Sequence, residues 1–325
     1  MKSLLEPISR IDSKVNQLYF RGYNAVDLAS TRDFETVLFL LVNGSLPTET
    51  QKENLIHSMV KHRELFTDNT LTLEDLIGQI DVFREQRNLD LYDTLLAFVT
   101  LCPMVIANEF TRSQQNEMSK SDKRLGHAAN FLWMVRGTKR IEDDIHDFQT
   151  ALILHMDDPD NPSLSALKST LDKGKELDAL HAALRIHVDP LHHGAGTLAM
   201  EMFKEIKRPE NVKEFLEARL ESGEKIYGLG HRIYKGIDPR AVVLRRMLKD
   251  RVKGTDDEWI LHVSDSVAME GKKLLSKHKG IDAYPNIDLY NAAFYYSLGF
   301  PSEMNTSLFA ISRAAGWMAH ILDLS

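Results

Sequence analysis

A single cysteine, Cys102, stands in a chain of 325 residues. An internal disulfide is therefore excluded, and the apolar surroundings of the thiol, Leu101 to Val105, mark it as buried. Positive charge is also short: 40 lysines and arginines against 47 aspartates and glutamates give a net charge of −7. Bulk electrostatics of that sign argues against a nucleic-acid partner, while leaving room for a local basic pocket that takes an anionic ligand. Long apolar runs are missing too. None is read as approaching the roughly eighteen residues of a membrane span, and the opening segment, MKSLLEPISRID, is too polar for a signal peptide. No membrane association and a cytoplasmic location are the resulting expectations. Neither an internal repeat nor a low-complexity linker is seen. What remains, 43% hydrophobic and 27% charged residues, is ordinary for a soluble enzyme, and the length suits one large domain or a large and a small one.

Strand signals are few, with Leu18 to Phe20 a candidate hairpin piece, and helical periodicity fills most of the chain. From Asp33 the apolar set Phe34, Val37, Leu38 and Leu41 follows the helical period, with Asn43-Gly44 as a stop and Pro47 beyond. Leu91 to Val105, Ala128 to Val135 and Ile145 to Leu154 repeat the pattern, and Leu198, Met202, Phe203 and Ile206 mark a further helix. An all-α fold is predicted. The charged runs Asn116 to Arg124 and Lys168 to Glu176 read as solvated faces or loops.

Three stretches carry chemistry. Gly228 to Ala241, GLGHRIYKGIDPRA, places His231, Lys235 and Arg240 within ten residues, behind a Gly-x-Gly turn. Glycine lets the backbone approach a ligand, and Pro239 fixes the approach of Arg240, whose planar fork suits a carboxylate or phosphate. On these residues alone a solvated basic loop stays an open alternative. Asp189 to Gly196, DPLHHGAG, sets His192 near a helix start, where the positive end of the helix dipole favours a neutral imidazole able to donate a hydrogen bond to a developing enolate. Pro285 to Tyr290, PNIDLY, holds one carboxylate, Asp288, between Ile287 and Leu289; partial burial there would raise its pKa toward that of a useful base.

In this order the three motifs resemble the citrate synthase family, which includes 2-methylcitrate synthases. Further blocks are similar along almost the whole chain: Ile11 to Ala29, Phe39 to Thr48, His127 to Gly137, Ala151 to Asp157, Tyr295 to Pro301, and Ile311 to Leu322. The resemblance implies a two-domain helical fold, with residues 1–190 and 288–325 forming a large domain around a smaller one at 191–287. It places the active site in the cleft between them and implies an intertwined homodimer. The implied reaction joins an acyl-CoA, acetyl or propionyl, to a 2-oxo acid, oxaloacetate in the parent case, with no permanently bound cofactor and no metal. Asp288 is then the base, His192 the donor to the enolate, and His231 the group that polarises the acceptor ketone. Arg240 and Arg313 hold acceptor carboxylates, and Lys235, Lys277 and Lys279 meet the phosphates of coenzyme A. For Arg313 the competing reading is a surface side chain that snorkels off an apolar helix; His155 reads equally as a hydrogen-bonded helix residue or as a site residue.

The departures bear on the acceptor. Where the family has a second histidine after Ile-Leu-His, this chain has Asp158, a carboxylate that would repel an acceptor carboxylate, in a segment reshaped by Pro159 and Pro162. His193 stands beside His192 where the family usually has glycine, and Ser13 replaces a glycine after Ile11-Asp12. The sequence ends at Leu324-Ser325, whereas family chains continue into an Arg-Pro tail. Loss of a carboxylate clamp is expected to weaken dicarboxylate binding by roughly two decades or more. A working synthase, an acyl-CoA enzyme with a less anionic acceptor, and a non-catalytic homologue that binds coenzyme A are the three resulting hypotheses.

Overall fold

Helices account for nearly all the regular structure of residues 6–66, 70–138, 141–172, 174–188 and 194–325, the part of the chain described by the computed structural model. The sheet among these residues is small: β1 (Ser9–Asp12), β2 (Gln17–Phe20) and β3 (Tyr23–Asn24) lie in that order, β2 and β3 antiparallel with Tyr19 opposite Asn24. Leu18 and Phe20 point inward and alternate with the half-buried Gln17 and Tyr19, as the two-residue period of a strand requires. The chain forms two compact units. One comprises Tyr19–Val188, Ser307–Ser325 and the chain start up to Arg10; the other comprises Ile11–Leu18 and Asp189–Thr306.

In the first unit the helices are α1 (Ala25–Thr31), α2 (Phe34–Asn43), α3 (Glu49–Arg63), α4 (Leu73–Arg87), α5 (Leu91–Ser113), α6 (His127–Arg136), α7 (Glu142–Leu154), α8 (Pro162–Thr170) and α9 (Glu176–Val188). The α2 boundaries follow the sequence signals. Asp33 caps the start by accepting the Thr36 N–H at 2.9 Å, and Gly44 ends it in the left-handed region at φ 78° with its N–H on the Leu40 carbonyl. Helix α5 corrects the expectation of no span-length apolar stretch: it runs on past Val105 through Ile106 and Phe110 to Ser113 and is long and apolar enough to cross a membrane. The physical reason for its composition is burial, since 83% of its most apolar window lies inside the unit, where α3, α4 and α6 pack around it. Cys102 sits on this helix, fully buried, and burial pushes its thiol pKa up.

Helix α6 begins at Gly126, which has no side chain to cap it. The buried carboxylate of Glu35, on α2, takes that role by accepting the His127 N–H at 2.7 Å. The His127 ring stacks on Phe34 at 4.0 Å, and burial holds its pKa down at about 3.

The second unit contains α10 (Ala195–Ile206), α11 (Val212–Glu221), α12 (Pro239–Val252), α13 (Glu258–Lys279) and α14 (Asp288–Ser297), and the final helix α15 (Asn305–Leu324) starts in it. On α10 the buried face is Ala199, Met200, Met202, Phe203 and Ile206; Leu198, expected in the apolar stripe, is 40% exposed because it falls at the edge of that face. Helix α14 packs against α10, α12 and α13, and nearly all of it from Leu289 to Tyr295 is buried. A polar clamp fixes three of these helices. Asp265 of α13 accepts the Tyr290 hydroxyl of α14 at 2.9 Å and both Nε and Nη2 of Arg245 of α12 at 2.6 Å.

The buried imidazole gives a stability prediction. The unfolded chain protonates a histidine near its ordinary 6.5, whereas folded His127 stays neutral down to about 3, so its contribution is present above 6.5 and is lost as pH falls through that window. Urea unfolding at pH 7 and pH 5 should show the His127→Phe variant losing less stability than the parent on acidification, by about 2 kcal/mol. Equal losses would refute the assignment.

Candidate active site

The glycine-rich loop and the Pro285-Asn286 segment form one backbone unit. Leu229 pairs with Pro285 in an antiparallel bridge, Gly230 donates its N–H to the Tyr284 carbonyl at 2.7 Å, and Asn286 donates its N–H to the Gly228 carbonyl at 3.0 Å. The Asn286 side chain adds a second layer: its Nδ2 donates to the Gly230 carbonyl at 2.8 Å while its Oδ1 accepts the Asp288 N–H at 3.0 Å. One amide therefore joins the residue before His231 to the first residue of α14. Gly228, at φ 83°, is required twice over. The left-handed conformation favours glycine, and a Cβ there would lie 2.7 Å from the Cα and side chain of Leu289.

His231 emerges from this pairing half-buried. Its Nδ1 accepts the backbone N–H groups of Ile233 and Tyr234 at 3.1 and 3.2 Å, so the neutral ring carries its proton on Nε2. In this tautomer Nε2–H is the ring's hydrogen-bond donor, a group of the kind that can polarise a carbonyl oxygen. Asp288, also half-buried, is the first residue of α14.

Further along the loop, Lys235 is exposed and Asp238 is fully buried. The Asp238 N–H reaches the Pro285 carbonyl at 3.0 Å. Its carboxylate caps α12 by accepting the Arg240 N–H at 2.9 Å, and holds the Nε–Nη2 edge of the Arg240 guanidinium at 3.0 and 2.8 Å. Arg240 is 1% exposed, with Tyr234 against its other side at 5.6 Å. The cation expected to clamp a carboxylate thus already shares its charge with a neighbouring aspartate. Lys277 and Lys279 lie exposed in the last turn of α13, where cations complement the helix dipole. His192 and His193 lie outside the described residues.

In the first unit, Arg313 is 1% exposed, which removes the snorkelling alternative. It lies 3.9 Å from the carboxylate of Asp157, itself fully buried, and 5.2 Å from the Phe309 ring. Asp157 also bonds the Nε2 of His320 at 2.9 Å and the hydroxyl of Ser9. Burial alone would push its pKa up; His320, Arg313 and Ser9 outweigh that and bring it to about 2. Asp158 is nearly buried and its Oδ1 accepts the Asp160 N–H at 3.0 Å, so the carboxylate at this position takes part in the turn before α8. His155 is fully buried, its Nδ1 donating to the Ala151 carbonyl at 2.6 Å with Phe309 edge-on at 4.2 Å.

The family model for the C-terminal domain of citrate synthase matches residues 1–324. The chain belongs to the citrate synthase family. It is 31% identical to the citrate synthase of Haloferax volcanii over 97% of this chain and 88% of that one. It is also 30% identical to 2-methylcitrate synthase 1 of Corynebacterium glutamicum over 97% and 87%. The crystal structure of citrate synthase from Thermotoga maritima superposes with a TM-score of 0.82 at 28% identity, covering 99% of this chain and 89% of that one.

Within this citrate synthase family member, Asn16, Asp157 and Asn286 each hold a candidate site residue or its loop, and sequence reading gave none of them a part. Asn286 was visible only as one letter of the Pro-Asn-Ile-Asp motif, and one of its two side-chain bonds reaches Gly230, 56 residues away in the chain. The close approach at Gly228 yields a test. Gly228→Ala should cost roughly 1–3 kcal/mol of stability through the clash with Leu289 and the strained φ, and lower any turnover by separating the loop from α14. An unchanged melting curve would show that the approach is not tight.

Proposed function

We propose that the protein is an acyltransferase that condenses acetyl-CoA or propionyl-CoA with oxaloacetate, giving citrate or 2-methylcitrate and free coenzyme A. The observation that carries this reading is the pairing of the two motifs: the segment that ends in His231 and the start of α14, where Asp288 stands, are joined through Asn286. The α-carbon of a thioester is a weak carbon acid, so deprotonation needs a base and an electrophile on the thioester oxygen together. Asp288 takes the proton, and His192 is the expected donor to the enolate oxygen. The enolate carbon attacks the acceptor ketone while the His231 Nε2–H supports the charge that develops on the ketone oxygen. Water then cleaves the thioester, releasing the thiol and leaving a carboxylate. The same reading gives the acceptor carboxylates to Arg240 and Arg313, the phosphates of coenzyme A to Lys235, Lys277 and Lys279, and makes the protein a cytoplasmic homodimer.

A second reading, coenzyme A binding with a less anionic acceptor or without turnover, is favoured by Asp158, a nearly buried carboxylate where the family pattern carries a substrate histidine. Thiol release from acetyl-CoA and propionyl-CoA, with and without oxaloacetate, separates the two. Oxaloacetate-dependent release supports the synthase, and the preferred thioester distinguishes citrate from 2-methylcitrate chemistry. In that case Asp288→Asn should lower kcat by at least roughly a hundredfold while coenzyme A binding persists. Retained turnover would mean that the base is elsewhere, and no release with binding intact would favour the second reading.

A further inference from the structure

Between His231 and α12, the segment Arg232 to Ile237 has no helix or strand to hold it. One end is tied by the two backbone bonds to His231, the other by Asp238. The middle is held from 219 to 221 residues away in the chain, by Asn16. The Asn16 Oδ1 accepts the N–H groups of Lys235 and Gly236 at 3.2 and 3.1 Å, and its Nδ2 donates to the Ile237 carbonyl at 2.6 Å. Among the described residues these three backbone groups have no other partner. Asn16 itself sits in the turn joining β1 to β2 in the left-handed region at φ 56°, a conformation that asparagine tolerates better than most residues. The turn thereby points a bidentate amide at three consecutive residues of the loop.

We propose that Asn16 is a positioning residue for acyl-CoA binding, ordering the Lys235–Ile237 loop so that the Lys235 ammonium is presented to an anionic part of the thioester. Lys235 is exposed and forms no ion pair with a described carboxylate, so its charge is available to a phosphate. An unpinned loop would have to be ordered when the ligand binds, and that entropic cost would appear as lost affinity. Because Asn16 contacts only backbone, it acts on the position of Lys235 and not on its charge. This inference rests on the reading of Lys235 as a phosphate ligand of coenzyme A.

Asn16→Gly tests it without confounding strain, because glycine keeps the left-handed turn and removes only the amide. These bonds are exposed or part-buried and individually modest, so the expected effect is a KM for acetyl-CoA raised roughly three- to tenfold. The loss should fall on that KM and not on kcat or on the KM for oxaloacetate. Hydrogen exchange in the peptide spanning Arg232 to Asp238 should quicken in the same variant. Combined with Lys235→Ala, the change should add little, since both act on one contact. An acetyl-CoA KM equal to the parent's, or full additivity with Lys235→Ala, would overturn the proposal. If the parent protein neither turns over nor binds coenzyme A, the functional reading fails and takes the affinity claim with it; unchanged exchange would separately disprove the ordering role of Asn16.

Discussion

The organisation of the second unit depends on a short stretch of backbone pairing. Two segments without regular structure, around Leu229 and around Pro285, satisfy one another's N–H and C=O groups across a single bridge. Buried backbone polar groups demand partners, so neither segment can move without leaving the other unsatisfied. Asn286 extends this constraint from backbone to side chain by linking the Gly230 carbonyl to the start of α14. His231 and Asp288 are the residues at the ends of the two paired segments. Their relation follows from hydrogen bonds of the backbone and of Asn286.

The first unit handles charge differently. Asp157, Arg313 and His320 are all withdrawn from water and compensate one another. Removing one member of a buried set strands the charge of the others, typically at a cost of roughly 3–5 kcal/mol. The same economy holds at Arg240, where the buried Asp238 serves both as helix cap and as counter-ion.

Much of the fold was legible because local signals and burial agree. Helix α2 starts at an aspartate cap and ends at a left-handed glycine where the period and the Asn-Gly stop place them, and α6 and α7 fall within a few residues of their expected spans. Apolar composition misled where it could not tell solvent from interior: α5 is apolar all round because it is buried all round, and Leu198 keeps helical spacing yet faces outward. The His231, Lys235, Arg240 and Asp288 motifs could be picked out because glycines, proline and ionisable groups cluster within a few residues. The residues that hold them could not. Asn16, Asn286 and Asp157 act through partners distant in sequence, and an asparagine in a turn or an aspartate after a helix carries no local mark of such a contact.

The most direct test of this account is the steady-state kcat of Asn286→Ala, measured as thiol release from acetyl-CoA with oxaloacetate, in a variant whose folding is checked by thermal unfolding. If one amide keeps His231 and Asp288 in register, kcat should fall by roughly one to two decades, as expected when reacting groups lose alignment, while the protein stays folded. A folded variant that turns over at the parent rate would contradict the claim that this pairing organises the site.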